Sequence, residues 1–224
     1  MKVKLIGYTS PIKDRTIGID DVQDLISYCA KVSNPQFQTN FENSSKLLNY
    51  LIEHKHWSPF ELASATLEIE TTRDIARQML RHRSFSFQEF SQRYKEVDAL
   101  GEPFVIREAR LQHPTNRQDS IEVEDQELQK MWAAKQQQII HEAKLAYSWA
   151  LKNGIAKEQA RALLPEGVTE SRLYMNGTLR SWIHYVELRS GPETQKEHRD
   201  IAISCAKAIE PIFPMISEFV VTAN

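Results

Sequence analysis

Residues 62–94 read LASATLEIETTRDIARQMLRHRSFSFQEFSQRY, and the change of period inside this stretch decides the class of fold. Leu67 and Ile69 alternate with Glu68 and Glu70, the two-residue period of a strand with one buried face, so Leu62 to Thr72 is predicted as a strand. Beyond Thr72 the period lengthens. Ile75 pairs with Met79 and Ala76 with Leu80 at i, i+4, which defines a helix whose inner side is apolar and whose other sides carry Arg73, Arg77, Gln78 and Arg81. The strand thus runs directly into a helix, and RHRSFSFQEFSQRY (residues 81–94) follows at the helix end.

On the N-terminal side, Val3 to Tyr8 alternates as a strand. Asp20 to Lys31 and Ser44 to His54 show helical spacing behind Asp and Ser caps, and Pro59 ends that pattern. On the C-terminal side, Lys95 to Glu124 is polar and broken by Pro103 and Pro114, which predicts a surface excursion around a short strand at Phe104 to Ile106; it carries no readable motif. Leu128, Trp132, Ile139, Ala143, Ala146 and Ala150 then recur at helical intervals until Asn153-Gly154 supplies a stop. Further helices are predicted at Lys157 to Leu164, closed by Pro165, at Gly177 to Leu188 and at Glu193 to Ile209.

A chain of 224 residues suits one hydrophobic core, so residues 1–224 are expected to form a single domain. With 41% hydrophobic and 26% charged residues it reads as soluble, and a formal charge of -2 argues against an extended nucleic-acid surface. Cys29 and Cys205 form no CxxC pair and indicate neither a disulfide framework nor a zinc site, which fits a reduced, cytoplasmic setting. The opening MKVKLIGYTS is too short in apolar residues for a signal peptide, and no window approaches the roughly 18 apolar residues of a membrane span. Seven widely spaced glycines exclude GxGxxG and GxxxxGK[ST] phosphate loops, so any nucleotide must be held mainly by side chains. GxSxG and HExxH are absent as well, and His54 and His56 alone do not specify a metal.

What remains is a dense group of anion-binding side chains in Arg81, His82, Arg83, Ser84, Ser86, Gln88, Glu89, Ser91, Gln92, Arg93 and Tyr94. Guanidinium forks match phosphate oxygens bidentately, and serine hydroxyls complete such sites. By composition alone this group also reads as a solvated basic helix end packed by Phe85, Phe87 and Phe90. Arg81-His82-Arg83, seven residues, then Ser91 resembles the RHR-x7-S signature of the flavin-dependent thymidylate synthases. His56-Trp57-Ser58-Pro59-Phe60-Glu61 is similar to that family's HxSPFE segment, and Ala160-Arg161-Ala162-Leu163-Leu164-Pro165 to its ARxxLP segment. Leu188-Arg189 and Gln195 fall where the family has a late arginine and a glutamine.

Pattern and resemblance together predict an α+β fold, a mostly antiparallel sheet packed by helices. The resemblance implies conversion of dUMP to dTMP, with methylenetetrahydrofolate as one-carbon donor, FAD as hydride carrier, NADPH as reductant, and a homotetramer with shared active sites. It implies that Ser33, Ser58, Arg81, His82, Arg83, Glu89, Arg180 and His184 contact FAD. Gln78, Arg81, Glu89, Phe90, Ser91, Gln92, Arg93, Arg161 and Arg189 would line the dUMP site, with Ser91 and Arg93 on the phosphate and Arg161 arriving from another subunit. Arg189 is the expected catalytic residue, because a cation beside the uracil ring favours ionisation of the imide and enriches the carbon that attacks the methylene group. Ser91 lacks a suitably spaced base and reads as a phosphate ligand, not a nucleophile. Leu62 and Glu193 stand where many members have histidines near the flavin. Two rival readings remain: a single-stranded nucleic-acid binder in which Arg81, Arg83, Arg93 and Lys95 track phosphates, and a flavoprotein without methyl transfer.

Overall fold

The alternation at Ser64–Thr72 (β2) builds the middle of an antiparallel four-stranded sheet in the computed structural model, which describes residues 1–12, 17–97, 101 and 103–221. Its neighbours are Lys2–Tyr8 (β1) on one side and Glu170–Thr178 (β6) on the other, and Ser86–Glu89 (β3) pairs with the far edge of β6. Arg110–Gln112 (β4) and Ser120–Glu122 (β5) form a separate hairpin. The helices are Val22–Ala30 (α1), Ser44–Glu53 (α2), Arg73–Met79 (α3), Gln126–Lys152 (α4), Lys157–Ala160 (α5), Leu179–Arg189 (α6) and Lys196–Ile209 (α7). This is the α+β arrangement expected, with helices packed on an antiparallel sheet.

Strand β6 corrects the sequence reading. Residues 170–176 had no assignment and Gly177 was placed at a helix start, yet β6 runs to Thr178 and the helix begins at Leu179. Ser171, Leu173, Met175 and Gly177 face inward while Arg172, Tyr174 and Asn176 alternate with them, a true strand period in which Glu170, Asn176 and Gly177 dilute the β-propensity. Its order comes from pairing on both edges: Leu173 lies opposite Ile69 and Met175 opposite Leu67 on β2, while Met175 also lies opposite Phe87 on β3.

Two strand-to-helix junctions follow from the antiparallel register, Thr72 into α3 and Thr178 into α6, at opposite ends of the sheet. Both threonines are extended N-caps, with ψ of 156° and 159°. Thr178 Oγ1 accepts from the Ser181 amide at 3.2 Å, and Thr72 Oγ1 donates to Asp74 at 2.6 Å. Asp21 caps α1 through the Asp24 amide, as its sequence position suggested. Ser44 does not cap α2; it is the first helical residue, and its hydroxyl donates to Asp24 Oδ1 at 2.7 Å, tying α2 to α1.

Helix α6 crosses the core with Leu179, Trp182, Ile183, Tyr185 and Val186 buried against Ala65, Leu67, Ile69, Leu173 and Met175. Each such side chain contributes roughly 1.5–3 kcal/mol by leaving water. Trp182 also donates its indole N–H to the Ala65 carbonyl at 3.0 Å, so its one polar atom is satisfied.

The segment after Lys95 departs from expectation too. Phe104 makes only a single bridge to Thr169 instead of a strand to Ile106, and the strands of this region are β4 and β5. Helix α4 holds it by side chains: Gln129 exchanges hydrogen bonds with the Ala109 backbone at 2.7 and 2.9 Å, and Gln136 with that of Arg107 at 2.9 and 2.8 Å. Seven residues apart, the two glutamines share a helix face and stand in for a neighbouring strand. Ile140 and Tyr147 of α4 are buried, while Met131, Trp132, Ile139, Leu145 and Trp149 are exposed.

Candidate active site

Helix α3 ends at Met79, and the chain turns through Arg81 to Ser84 before entering β3. Phe85 anchors this turn. Its ring packs on Trp182 at 4.7 Å and on Tyr185 at 5.9 Å, and it lies where a Cβ on Gly177 would fall, 2.4 Å from Cδ1. Only a residue without a side chain permits that approach. Ser181 Oγ donates to the Ser84 carbonyl at 3.2 Å, closing the turn against the start of α6.

The other end of α6 supplies Arg189, whose Nε donates to His82 Nε2 at 3.0 Å. Burial and the Arg189 charge depress His82 to about 4, so the imidazole is neutral near pH 7 and accepts this bond without cancelling the guanidinium charge. His198, on α7, is fully buried and held lower still, to about 3, by burial, then Arg189, then His82. Its Nδ1 lies 3.2 Å from Gln78 Oε1 and its Nε2 3.1 Å from the Tyr185 hydroxyl. Gln78 Nε2 donates to Gln195 Oε1 at 2.8 Å, and Gln195 donates in turn to Glu197 at 2.9 Å. Gln78, His82, Arg189 and Gln195, spread along the chain, thus meet in one polar cluster.

Glu89 anchors a second cluster. Ser171 donates to it at 2.8 Å, and Arg73 and Arg77 pair with it at 3.4 and 3.6 Å. Its carboxylate is therefore committed to holding two cations in place. Beyond β3, Ser91, Arg93 and Tyr94 face Ala156, Lys157 and Glu158 across a cleft of about 560 Å3. Arg93 pairs with Glu158 at 3.1 Å. Gln92 is buried, and its Nε2 has no partner among the described residues, an unused donor between Ser91 and Arg93. Phe90 is half-buried, and its amide donates to the Arg172 carbonyl at 2.8 Å. Arg161, in a short 3-10 turn after α5, lies within electrostatic range of Arg73.

A third group gathers at the 3-10 turn Ser58–Glu61, where Arg180 forms an ion pair with Glu61 and the His184 ring stands edge-on to Trp57 at 4.5 Å. Arg180 and His184 do share a helix face, and that face meets the turn holding Ser58. Leu62 is exposed beside it. Ser33 sits exposed in the turn after α1, and among the described residues no hydrogen bond joins it to the other groups. Sequence reasoning missed His198, Tyr185, Glu197 and Arg110; a buried His and Tyr on apolar helix faces look like ordinary core positions.

Among the described residues, Arg81, Arg83, Arg117, Arg161, Arg189 and Arg199 have no carboxylate within 4.0 Å, whereas Arg73, Arg77, Arg93, Arg107, Arg110, Arg172 and Arg180 all do. Guanidinium groups left without an internal counter-ion fit an anionic ligand. Residues 15–215 match the family described as thymidylate synthase complementing protein. A flavin-dependent thymidylate synthase from a Synechocystis strain is 45% identical over 97% of this chain and 98% of its own length. The chain belongs to the flavin-dependent thymidylate synthase family.

A probable flavin-dependent thymidylate synthase of Paramecium bursaria Chlorella virus 1 is 46% identical, again over 97% of this chain and 98% of its own length. Among solved structures, a UMP/dUMP methylase from Streptomyces cacaoi bound with 5-Br dUMP superposes with a TM-score of 0.81 at 25% identity, over 97% of this chain and 93% of that one. Membership in the flavin-dependent thymidylate synthase family therefore extends over the whole architecture and not only over residues 81–91. No helix among the described residues is long and apolar enough to cross a membrane.

Proposed function

We propose that the chain is an FAD-dependent methyltransferase that makes dTMP from dUMP in the cytoplasm, with methylenetetrahydrofolate as one-carbon donor and NADPH as reductant. Family membership supports the reaction class, and the Streptomyces methylase, which carries 5-Br dUMP, supports the nucleotide. The observation that carries the assignment to this site is the junction of Arg189 with His82 in the Arg81-His82-Arg83 turn, where Arg81, Arg83 and Arg189 have no acidic partner among the described residues. FAD, when bound, would supply the hydride that completes the methyl group.

The chain's own residues bind, orient and polarise. Arg189 lies beside the pyrimidine and stabilises the ring imide as it ionises, which raises electron density at the carbon that attacks the methylene group. Neutral His82 fixes the Arg189 guanidinium through its Nε without quenching the charge. Ser91, Arg93 and the unused Gln92 donor hold the phosphate, and Arg161 of a neighbouring copy adds a second guanidinium. Arg81 and Arg83 take the anionic part of FAD, with Arg81 at its junction with dUMP, while Ser58, Arg180 and His184 form the opposite wall. The apolar side chains that α4 leaves about half exposed, Trp132, Ile139, Leu145 and Trp149, support a homotetramer. Anaerobic turnover of dUMP with FAD, NADPH and methylenetetrahydrofolate tests the reading, beside Arg189→Ala. Wild-type dTMP formation with a loss of ~100-fold or more in the variant supports it; bound FAD without dTMP from the wild type sinks it.

A further inference from the structure

The polar cluster behind Gln78 has a direction. Glu197, in the first turn of α7, is buried, with its carboxylate gripped by Arg110 Nη2 at 2.5 Å. Burial pushes the Glu197 carboxyl up, but hydrogen bonds from Arg110, its own backbone and Gln195 outweigh this and hold it below the usual carboxylate range. An ionised carboxylate only accepts hydrogen bonds. Gln195, 2.9 Å away, must therefore turn its NH2 toward Glu197, which leaves its carbonyl oxygen facing Gln78. Gln78 must then give an N–H to that oxygen, which leaves its own Oε1 for His198. His198 must carry its proton on Nδ1 to meet it, and its bare Nε2 accepts from the Tyr185 hydroxyl. Every link has one donor and one acceptor, and each orientation is inherited from the one before.

Arg110 comes from β4, in the stretch whose sequence carries no motif. That strand is delivered to α7 by specific ties: the Gln129 clamp on Ala109, the ion pairs of Arg107 with Asp74 at 2.7 Å, and those of Lys196 with Glu108 at 2.8 Å and Glu122 at 2.5 Å. The excursion between β3 and α4 thus ends in a guanidinium aimed at the anchor of the relay.

We infer that Arg110 and Glu197 are positioning residues that orient the Gln78 amide as a hydrogen-bond donor toward the pyrimidine ring, so that the relay selects uracil, which offers acceptors there, over cytosine. The inference rests on the dUMP reading above. Gln78 has a second Nε2 hydrogen not used by Gln195, and it sits in the Arg189 cluster, apart from the Ser91 and Arg93 cleft assigned to phosphate. A donor in that position meets a ring carbonyl or ionised imide of dUMP favourably, but confronts the amino group of dCMP donor to donor. Were the anchor neutral, all four links could reverse together with no bond lost, and Gln78 would present its carbonyl instead.

The test is equilibrium binding of dUMP and of dCMP to the FAD-loaded protein, wild type and Glu197→Gln. Glutamine keeps the shape but both donates and accepts, so it frees the relay to reverse. Because this change strands the Arg110 charge, the double variant Arg110→Met with Glu197→Gln is measured beside it, and retained flavin absorbance and unfolding temperature identify the folded variants. The expected result is a fall of at least ~5-fold in the ratio of the dCMP to the dUMP dissociation constant, in whichever variant retains flavin. Parallel weakening of both nucleotides, the signature of general loosening, overturns the inference, as does an unchanged ratio. Wild-type protein that holds FAD but binds neither nucleotide instead overturns the dUMP reading on which it rests.

Discussion

Replacing Gly177 by alanine puts a methyl carbon 2.4 Å from Phe85 Cδ1 and 2.5 Å from Cε1, where ordinary contact begins near 3.4 Å. The ring must move by roughly 1 Å, because Gly177 itself cannot retreat: its backbone lies in the β2–β6 ladder opposite Ala65. Phe85 has little room, with Trp182 at 4.7 Å, Tyr185 at 5.9 Å and Phe87 at 6.2 Å. Overpacking of this kind costs about 1–3 kcal/mol, or ~2–12 °C in unfolding temperature for a domain of this size. The displaced ring also pulls on the turn that carries His82, since the Phe85 amide bonds the His82 carbonyl at 3.3 Å. Denaturant unfolding of the variant, with and without FAD, measures both effects, and weaker FAD binding is expected along with lower stability. Phe85→Leu in the Gly177→Ala background relieves the clash, so the two changes together should cost less than their sum by at least ~0.5 kcal/mol. A Gly177→Ala cost below about 0.5 kcal/mol, or strict additivity with Phe85→Leu, refutes the packing argument.

Glu89→Gln leaves Arg73, whose side chain is 8% exposed, with only the distant Glu166 carboxylate at 3.9 Å, and should cost about 2–4 kcal/mol in urea unfolding; a loss under ~1 kcal/mol means that the pair is not a structural anchor. Acid should unfold the protein partly through His198. Its folded value of about 3 lies below the unfolded 6.5, so the unfolded chain takes up the proton first, and the stability present above pH 6.5 is lost as pH falls. One such group amounts to roughly 3 kcal/mol between pH 6.5 and 4, and His198→Asn should flatten that slope in stability measured against pH; an unaltered slope assigns the acid sensitivity elsewhere. His82→Ala removes the acceptor that orients Arg189 and should lower kcat ~10–100-fold at saturating dUMP. Wild-type turnover in that variant would show that Arg189 needs no such support.

Much of the architecture was legible because its signals are local. The two-residue period through Ile69 and Glu70, the four-residue pairs Ile75–Met79 and Ala76–Leu80, and the Asn153-Gly154 stop each arise within a few bonds of the backbone they govern, and β2, α3 and α4 appear where those signals lie. The arginine-rich turn was legible for a chemical reason: Arg81-His82-Arg83 and Ser91 concentrate donors for which a packed core has no use. Residues 170–178 gave no comparable signal. Glu170, Asn176 and Gly177 are poor strand formers, the segment has no run of β-branched residues, and its pairing partners lie about a hundred residues away on β2.

The sequence by itself therefore determined the order of most elements, the α+β class and the chemistry of the turn at residues 81–94. Tertiary structure alone decided that β6 lies between β2 and β3, that Gly177 must be bare because Phe85 occupies its side-chain space, and that Arg110, Glu197, Gln195, Gln78, His198 and Tyr185 form one oriented chain. The reason is physical. Periodicity and caps are written in neighbouring residues, whereas strand pairing, close approach and the direction of a hydrogen bond depend on groups that become neighbours only when the chain has folded.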